Sequence, residues 1–121
     1  MGFDFSNSVE TVAVAISVRQ RVDGALQELE VEHVFRAPSA ADLDAYRRQL
    51  AQVRGRKTRV DHLGAAKMLW HKLIDRVDGY DNLPEEWKAF FLKDQAALLH
   101  LQAAVDELLE VAQPSGGTEK N

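Results

Sequence analysis

Four histidines and a scatter of acids are the side chains of this sequence that could do chemistry. His71 and Asp75 stand four apart, a spacing that on a helix puts both on one face, within reach of one proton or one metal ion. His62 lies about two and a half turns earlier and off that face, whereas a metal site needs three or four converging ligands. The pair therefore reads as hydrogen-bonded or solvated, and no metal is expected. His33 falls on the apolar side of an alternating run and His100 flanks a leucine-rich stripe, so both read as packing or edge residues. The chain has no cysteine, which removes disulfides and thiolate metal ligands. Its seven glycines are scattered, with no G-x-x-x-x-G-K-[ST] to cradle phosphates. Ser39 lacks a nucleophile elbow, and the acids Glu85–Glu86, Asp106–Glu107 and Glu28, Glu30, Glu32 read as solvated faces. These residues predict no enzyme and no cofactor.

A second set is basic: Arg47, Arg48, Arg54, Arg56, Lys57 and Arg59. It could contact phosphates, yet no aromatic is interleaved to stack bases. The overall balance is acidic, 15 basic residues against 19 acidic and a formal charge of −4. A solvated loop or a patch for an acidic protein partner is the simpler reading, and a nucleic-acid module the alternative.

The elements that must position these residues come from hydrophobic periodicity. Val12, Val14, Ile16 and Val18 alternate with small or polar residues, and Leu29, Val31, His33 and Phe35 alternate with Glu28, Glu30, Glu32 and Val34. Between the runs, Asp23-Gly24 is a two-residue hairpin signal, because a type I′ turn needs positive φ at both positions. A turn there pairs residues whose numbers sum to 47 and brings the apolar sets together on one face. Ser39 with Asp42 reads as a capping-box helix start, with Leu43, Tyr46, Leu50 and Val53 as its stripe and Gly55 ending it. Leu63 to Tyr80 reads as one amphipathic helix capped by Thr58 or Asp61, with Leu63, Ala66, Trp70, Leu73, Ile74 and Val77 inward and Gly79 as a left-handed C-cap. Pro84 suits a first helical turn, and Leu98, Leu101, Val105 and Leu108 mark a last helix that Pro114 stops.

The expected fold is α+β, mainly α: a hairpin at about 12–22 and 25–36 packed on three to four helices at about 40–53, 60–78, 84–91 and 92–112. Residues 1–10 are expected to form a flexible arm, 11–113 a single domain, and 114–121 a disordered tail. The acidic N-terminus is unlike a signal peptide and no run of 18 apolar residues occurs, so a cytoplasmic protein without membrane contact is expected.

Three stretches resemble the tail assembly chaperones of long-tailed bacteriophages. Phe35-Arg36-Ala37-Pro38-Ser39, leading into Tyr46-Arg47, is similar to that family's strand-to-helix entry. Leu73-Ile74-Asp75-Arg76-Val77-Asp78-Gly79-Tyr80 resembles its hydrophobic helix closing on V-E/D-G-Y, and Trp87-Lys88 follows a short acidic linker. The resemblance spans roughly residues 29–93. It implies a non-catalytic phage or prophage protein that keeps tape-measure and tail-tube proteins soluble until the tail polymerises. A small homo-oligomeric interaction or regulatory protein is the alternative. On either reading Trp87, Phe90, Phe91, Leu98 and Leu101 are expected to line the partner or oligomer surface, since they offer more apolar area than a small domain must bury.

Overall fold

Backbone pairing begins at the turn. In the computed structural model, which describes residues 11–54 and 57–112, Asp23 and Gly24 both have positive φ, 51° and 81°. They join strand β1 (Thr11–Val22) to β2 (Ala25–Arg36). Every partner pair sums to 47: Val12 faces Phe35, Val14 faces His33 and Ile16 faces Val31. A slip of one residue would send these side chains to solvent, so burial and turn geometry enforce the same register.

Ser39 caps α1 (Ala40–Leu50): its hydroxyl accepts from Asp42 N at 3.1 Å, and Asp42 Oδ2 accepts from Ser39 N at 2.9 Å. The helix stops at Leu50 and does not run on to residue 53. The chain turns directly into a second small hairpin, β3 (Ala51–Arg54) and β4 (Lys57–Val60). Val53 therefore belongs to a strand. Asp61 then caps α2 (His62–Leu73), accepting from Gly64 N at 3.0 Å.

The main departure from the expected fold lies in the central helix, which ends at Leu73. Residues Ile74–Asp78 form strand β5, antiparallel to β2 along Glu32–Phe35. Two causes act together. Ile74 and Val77 are β-branched and suit a pleated surface, and the central strand β2 would otherwise carry an open edge. Arg36 donates from its guanidinium to Lys72 O at 2.9 Å, satisfying a carbonyl the broken helix leaves over. Gly79 is no helix cap. With φ of 92° it swings the chain past β2, where an added Cβ would lie 3.1 Å from Glu30 O.

Pro84 and the two following glutamates form a turn, and helix starts only with α3 (Trp87–Lys93). Asp94 separates it from α4 (Gln95–Ala112) and caps the latter, its carboxylate accepting from Ala97 N at 3.0 Å. The architecture is thus α+β, a three-stranded antiparallel sheet in the order β1-β2-β5 with helices on one face. α4 lies on β1, α2 touches β2, and α1 and α3 pack on α2 and α4 respectively. Val14, Phe35, Leu69, Trp70, Leu73, Phe91, Leu101, Val105 and Leu108 close the core between them. Among the described residues no helix is long and apolar enough to cross a membrane. The expected arm 1–10, the tail 114–121, Gly55 and Arg56 lie outside the described residues.

Candidate functional site

His33 is wholly buried in this core, and both of its ring nitrogens are engaged. Trp70 Nε1 lies 3.0 Å from His33 Nδ1, Tyr80 Oη lies 2.8 Å from His33 Nε2, and His100 Nδ1 lies 3.0 Å from Tyr80 Oη. Indole can only donate, so His33 Nδ1 must accept and its proton must sit on Nε2. That N–H donates to Tyr80, whose own hydroxyl proton is left for His100 Nδ1. One donor-only group at the buried end thus fixes the direction of the whole chain, from Trp70 outward to the half-buried His100.

Electrostatics agrees with a neutral chain. Burial, aided by His100, pushes the His33 pKa down to about 4. Burial raises the Tyr80 phenol and lowers His100, the latter opposed by the Asp94 carboxylate. Phe91 is the hub around which the rings close. Its centroid is 5.4 Å from His33, 5.5 Å from Trp70, 5.2 Å from Tyr80 and 6.4 Å from Trp87. Such contacts add to burial through edge-to-face electrostatics.

The outer end of the chain opens into a cleft of about 280 Å³. Tyr80, Leu83, Pro84, Phe90, Ala97 and His100 line it, with Asn82 held at φ of 59° in the connecting loop. On the far side of α3 a second, shallower depression is lined by His71, Trp87 and Leu92. The cleft is mostly apolar, with the Tyr80 phenol, the His100 imidazole, the Asn82 amide and the Asp81 and Asp94 carboxylates also lining it, a composition suited to holding an apolar side chain beside polar groups. With both nitrogens spent on hydrogen bonds, His33 has no lone pair left for a metal.

The sequence-predicted residues divide accordingly. Phe91 and Leu101 are sealed, 1% and 0% exposed, and leave the expected partner surface for the core, because α3 turns Phe91 into the ring cluster. Trp87 and Leu98 are half-buried against that core, and Phe90, 38% exposed, leans on Phe91 at the lip of the cleft. His71 and Asp75 form no pair: the helix ends between them, and Asp75, on β5, instead meets Arg76 at 3.3 Å. Among the described residues no group of three or more metal-capable side chains converges. Arg47 and Arg48 are exposed on α1, Arg47 within 3.5 Å of Asp44, while Arg54, Lys57 and Arg59 are residues of the small hairpin. Tyr80 is the member that sequence reasoning missed. Its only signal was its place at the close of the Val77-Asp78-Gly79-Tyr80 stretch, which gave it no role in a site, and its partners stand 47 and 20 residues away.

Comparison with family models, with curated proteins and with solved structures returns no match to this chain.

Proposed function

We propose that this chain is a phage or prophage tail assembly chaperone, a non-catalytic protein that holds tape-measure and tail-tube proteins soluble before the tail polymerises. It would work in the cytoplasm of the bacterial host. The resemblance over residues 29–93 supplies the class. The observation that supports it in the fold is Phe90, a large aromatic left open at the lip of an apolar cleft while its neighbour Phe91 is buried. A protein that shields apolar clients needs such an anchor, and helix-in-groove docking is a common solution.

Co-expression tests it directly. The chain should co-purify with the tape-measure protein encoded beside it and raise that protein's soluble fraction, and Phe90→Glu should abolish capture while the far-ultraviolet circular dichroism stays unchanged. Soluble tape-measure protein without any capture by the native chain would overturn the reading. So would a gene that lies nowhere near a major tail protein and a long tape-measure gene.

A second reading, a small homo-oligomeric interaction protein with no phage connection, is favoured by Leu99 and Val111. They stand 67% and 61% exposed on α4. A third, nucleic-acid binding through Arg47, Arg48 and the basic small hairpin, predicts a gel shift at low salt that fades steeply as salt is added.

A further inference from the structure

We infer that the outer edge of β1 is a homodimer seam, where a second copy of this chain pairs antiparallel about a twofold axis at Ala15. β2 occupies one side of β1 along all twelve residues, and no described strand pairs with the other side. Val22 and Ala25 flank a two-residue loop and so form a hydrogen-bonded pair. Counting back from them, the even-numbered residues of β1 turn their amides to β2 and the odd-numbered ones turn theirs outward. Thr11, Ala13, Ala15, Ser17, Arg19 and Arg21 therefore present the free donors and acceptors.

The two edges of this sheet are protected unequally. The other edge strand, β5, carries Asp75, Arg76 and Asp78, and the part of β2 that β5 leaves uncovered carries Glu28 and Glu30. From Thr11 to Val18, TVAVAISV, β1 has no charge and no proline. Native proteins block exposed edges with such residues, and a long bare edge is a template for another strand.

The sequence of that edge is also self-complementary. About Ala15, Val12 falls opposite Val18 of a second copy, Ala13 opposite Ser17, and Val14 opposite Ile16. The β-branched residues continue the covered face of the sheet, and the exposed Ala13, Ala15 and Ser17 leave the other face without protrusions. Any twofold that falls on a residue pairs odd with odd and lets the outward amides exchange hydrogen bonds; an odd centre makes the central pair itself a hydrogen-bonded one. Ala15 is the centre that pairs all of the uncharged run Thr11–Val18, since a centre at Val14 leaves Val18 without a described partner residue and one at Ile16 draws both Arg19 and Arg21 into the ladder. A twofold at Arg19 would stack two guanidinium groups, whereas at Ala15 Arg19 meets Thr11 and lies about 27 Å along the strand from its own copy, at about 3.4 Å per residue. Because the axis is perpendicular to the sheet, both α4 helices, which lie on β1, come to the same side of one six-stranded sheet.

The chain lacks cysteine, so introduced thiols report the seam cleanly. Residues facing each other in a hydrogen-bonded pair have Cα atoms about 5.5 Å apart, within disulfide range. Ala15→Cys should give a disulfide-linked dimer under mild oxidation, and Ser17→Cys alone should not. A mixture of Ala13→Cys and Ser17→Cys chains should link to each other. Light scattering on the full chain should show a dimer, and Ala15→Lys should raise its dissociation constant at least about tenfold with secondary structure retained. A monomeric native chain would overturn the seam. A dimer that survives Ala15→Lys, or links equally through either single cysteine, would place the interface elsewhere and do the same. The edge lies on the sheet and Phe90 on α3, so loss of dimerisation and loss of client capture are separate results.

Discussion

At the scale of single residues, His33 joins the two halves of the molecule, because it ties a strand to α2 through Trp70 and to α4 through Tyr80 and His100. Its pKa is lowered on folding, so between its ordinary value near 6.5 and about 4 the unfolded chain binds the proton that the native chain refuses. Stability therefore falls as pH drops through that window, by at most about 3 kcal/mol from this group, and His100, lowered as well, acts in the same direction. Asp42 acts later: hydrogen bonds from Ser39 and the Lys72 ammonium at 2.9 Å lower its pKa, so its contribution holds above its unfolded value and is lost at still lower pH. Urea denaturation at pH 7 and pH 4.5 measures the summed contribution of His33 and His100, and variants of His33 isolate its share. His33→Leu should lower stability at pH 7 by about 2–4 kcal/mol, since the Trp70 N–H and Tyr80 hydroxyl lose a buried partner, and should flatten the dependence on pH. His33→Gln can accept from Trp70 and donate to Tyr80, so it should recover part of the stability while keeping only the weaker pH dependence that His100 contributes. A leucine variant as stable as the native chain would show that the hydrogen-bonded chain contributes nothing net.

At the scale of elements, the passage from α2 through β5 to Tyr80 depends on one backbone conformation. Gly79 and Gly24 both have positive φ, but nothing lies within 4 Å of a Cβ at Gly24, whereas at Gly79 it would press on the backbone of β2. Gly24→Ala should cost only the strain of the turn, about 1 kcal/mol, while Gly79→Ala should cost about 2–4 kcal/mol by adding a contact that cannot yield. Thermal melts of the two variants side by side decide this, and equal costs would mean that β2 gives way at Glu30. The same segment shows why one hairpin was legible in the sequence and the helix end was not. In β1 and β2, turn chemistry and alternation specify one register independently, and Ser39 with Asp42 wrote its cap into two residues. Leu73, Ile74 and Val77 satisfy a helical spacing as well as a strand, and what decides between them is the open edge of β2, forty residues earlier in the chain. The small hairpin β3–β4 is four residues a side, and the brief alternation of Ala51 and Val53 with Gln52 and Arg54 is outweighed by the helical spacing that Val53 also fits. The site followed the same logic: His33 and His100 could be placed on faces, but nothing local joins either to Tyr80.

At the scale of the whole molecule, adjacent phenylalanines on α3 separate folding from binding. Phe91 contacts rings from β2, α2 and the loop after β5, so truncating it opens a cavity at the one point where all the layers meet. A buried Phe→Ala change costs about 3–5 kcal/mol, a large part of the 5–15 kcal/mol that holds a typical domain together. Phe91→Ala should therefore lower the melting temperature sharply and diminish client capture only as the folded fraction falls. Phe90 has no such duty. Its exposed ring leans on Phe91 from outside, at 5.9 Å between centroids. Phe90→Ser should change stability by no more than about 1 kcal/mol, yet remove the anchor from the cleft. If the cleft receives a client, capture by the Phe90 variant fails at temperatures where its melt is indistinguishable from native, and capture by the Phe91 variant returns on cooling. If both variants lose capture only in proportion to unfolding, Phe90 is ordinary packing and any client must dock on another face of the molecule.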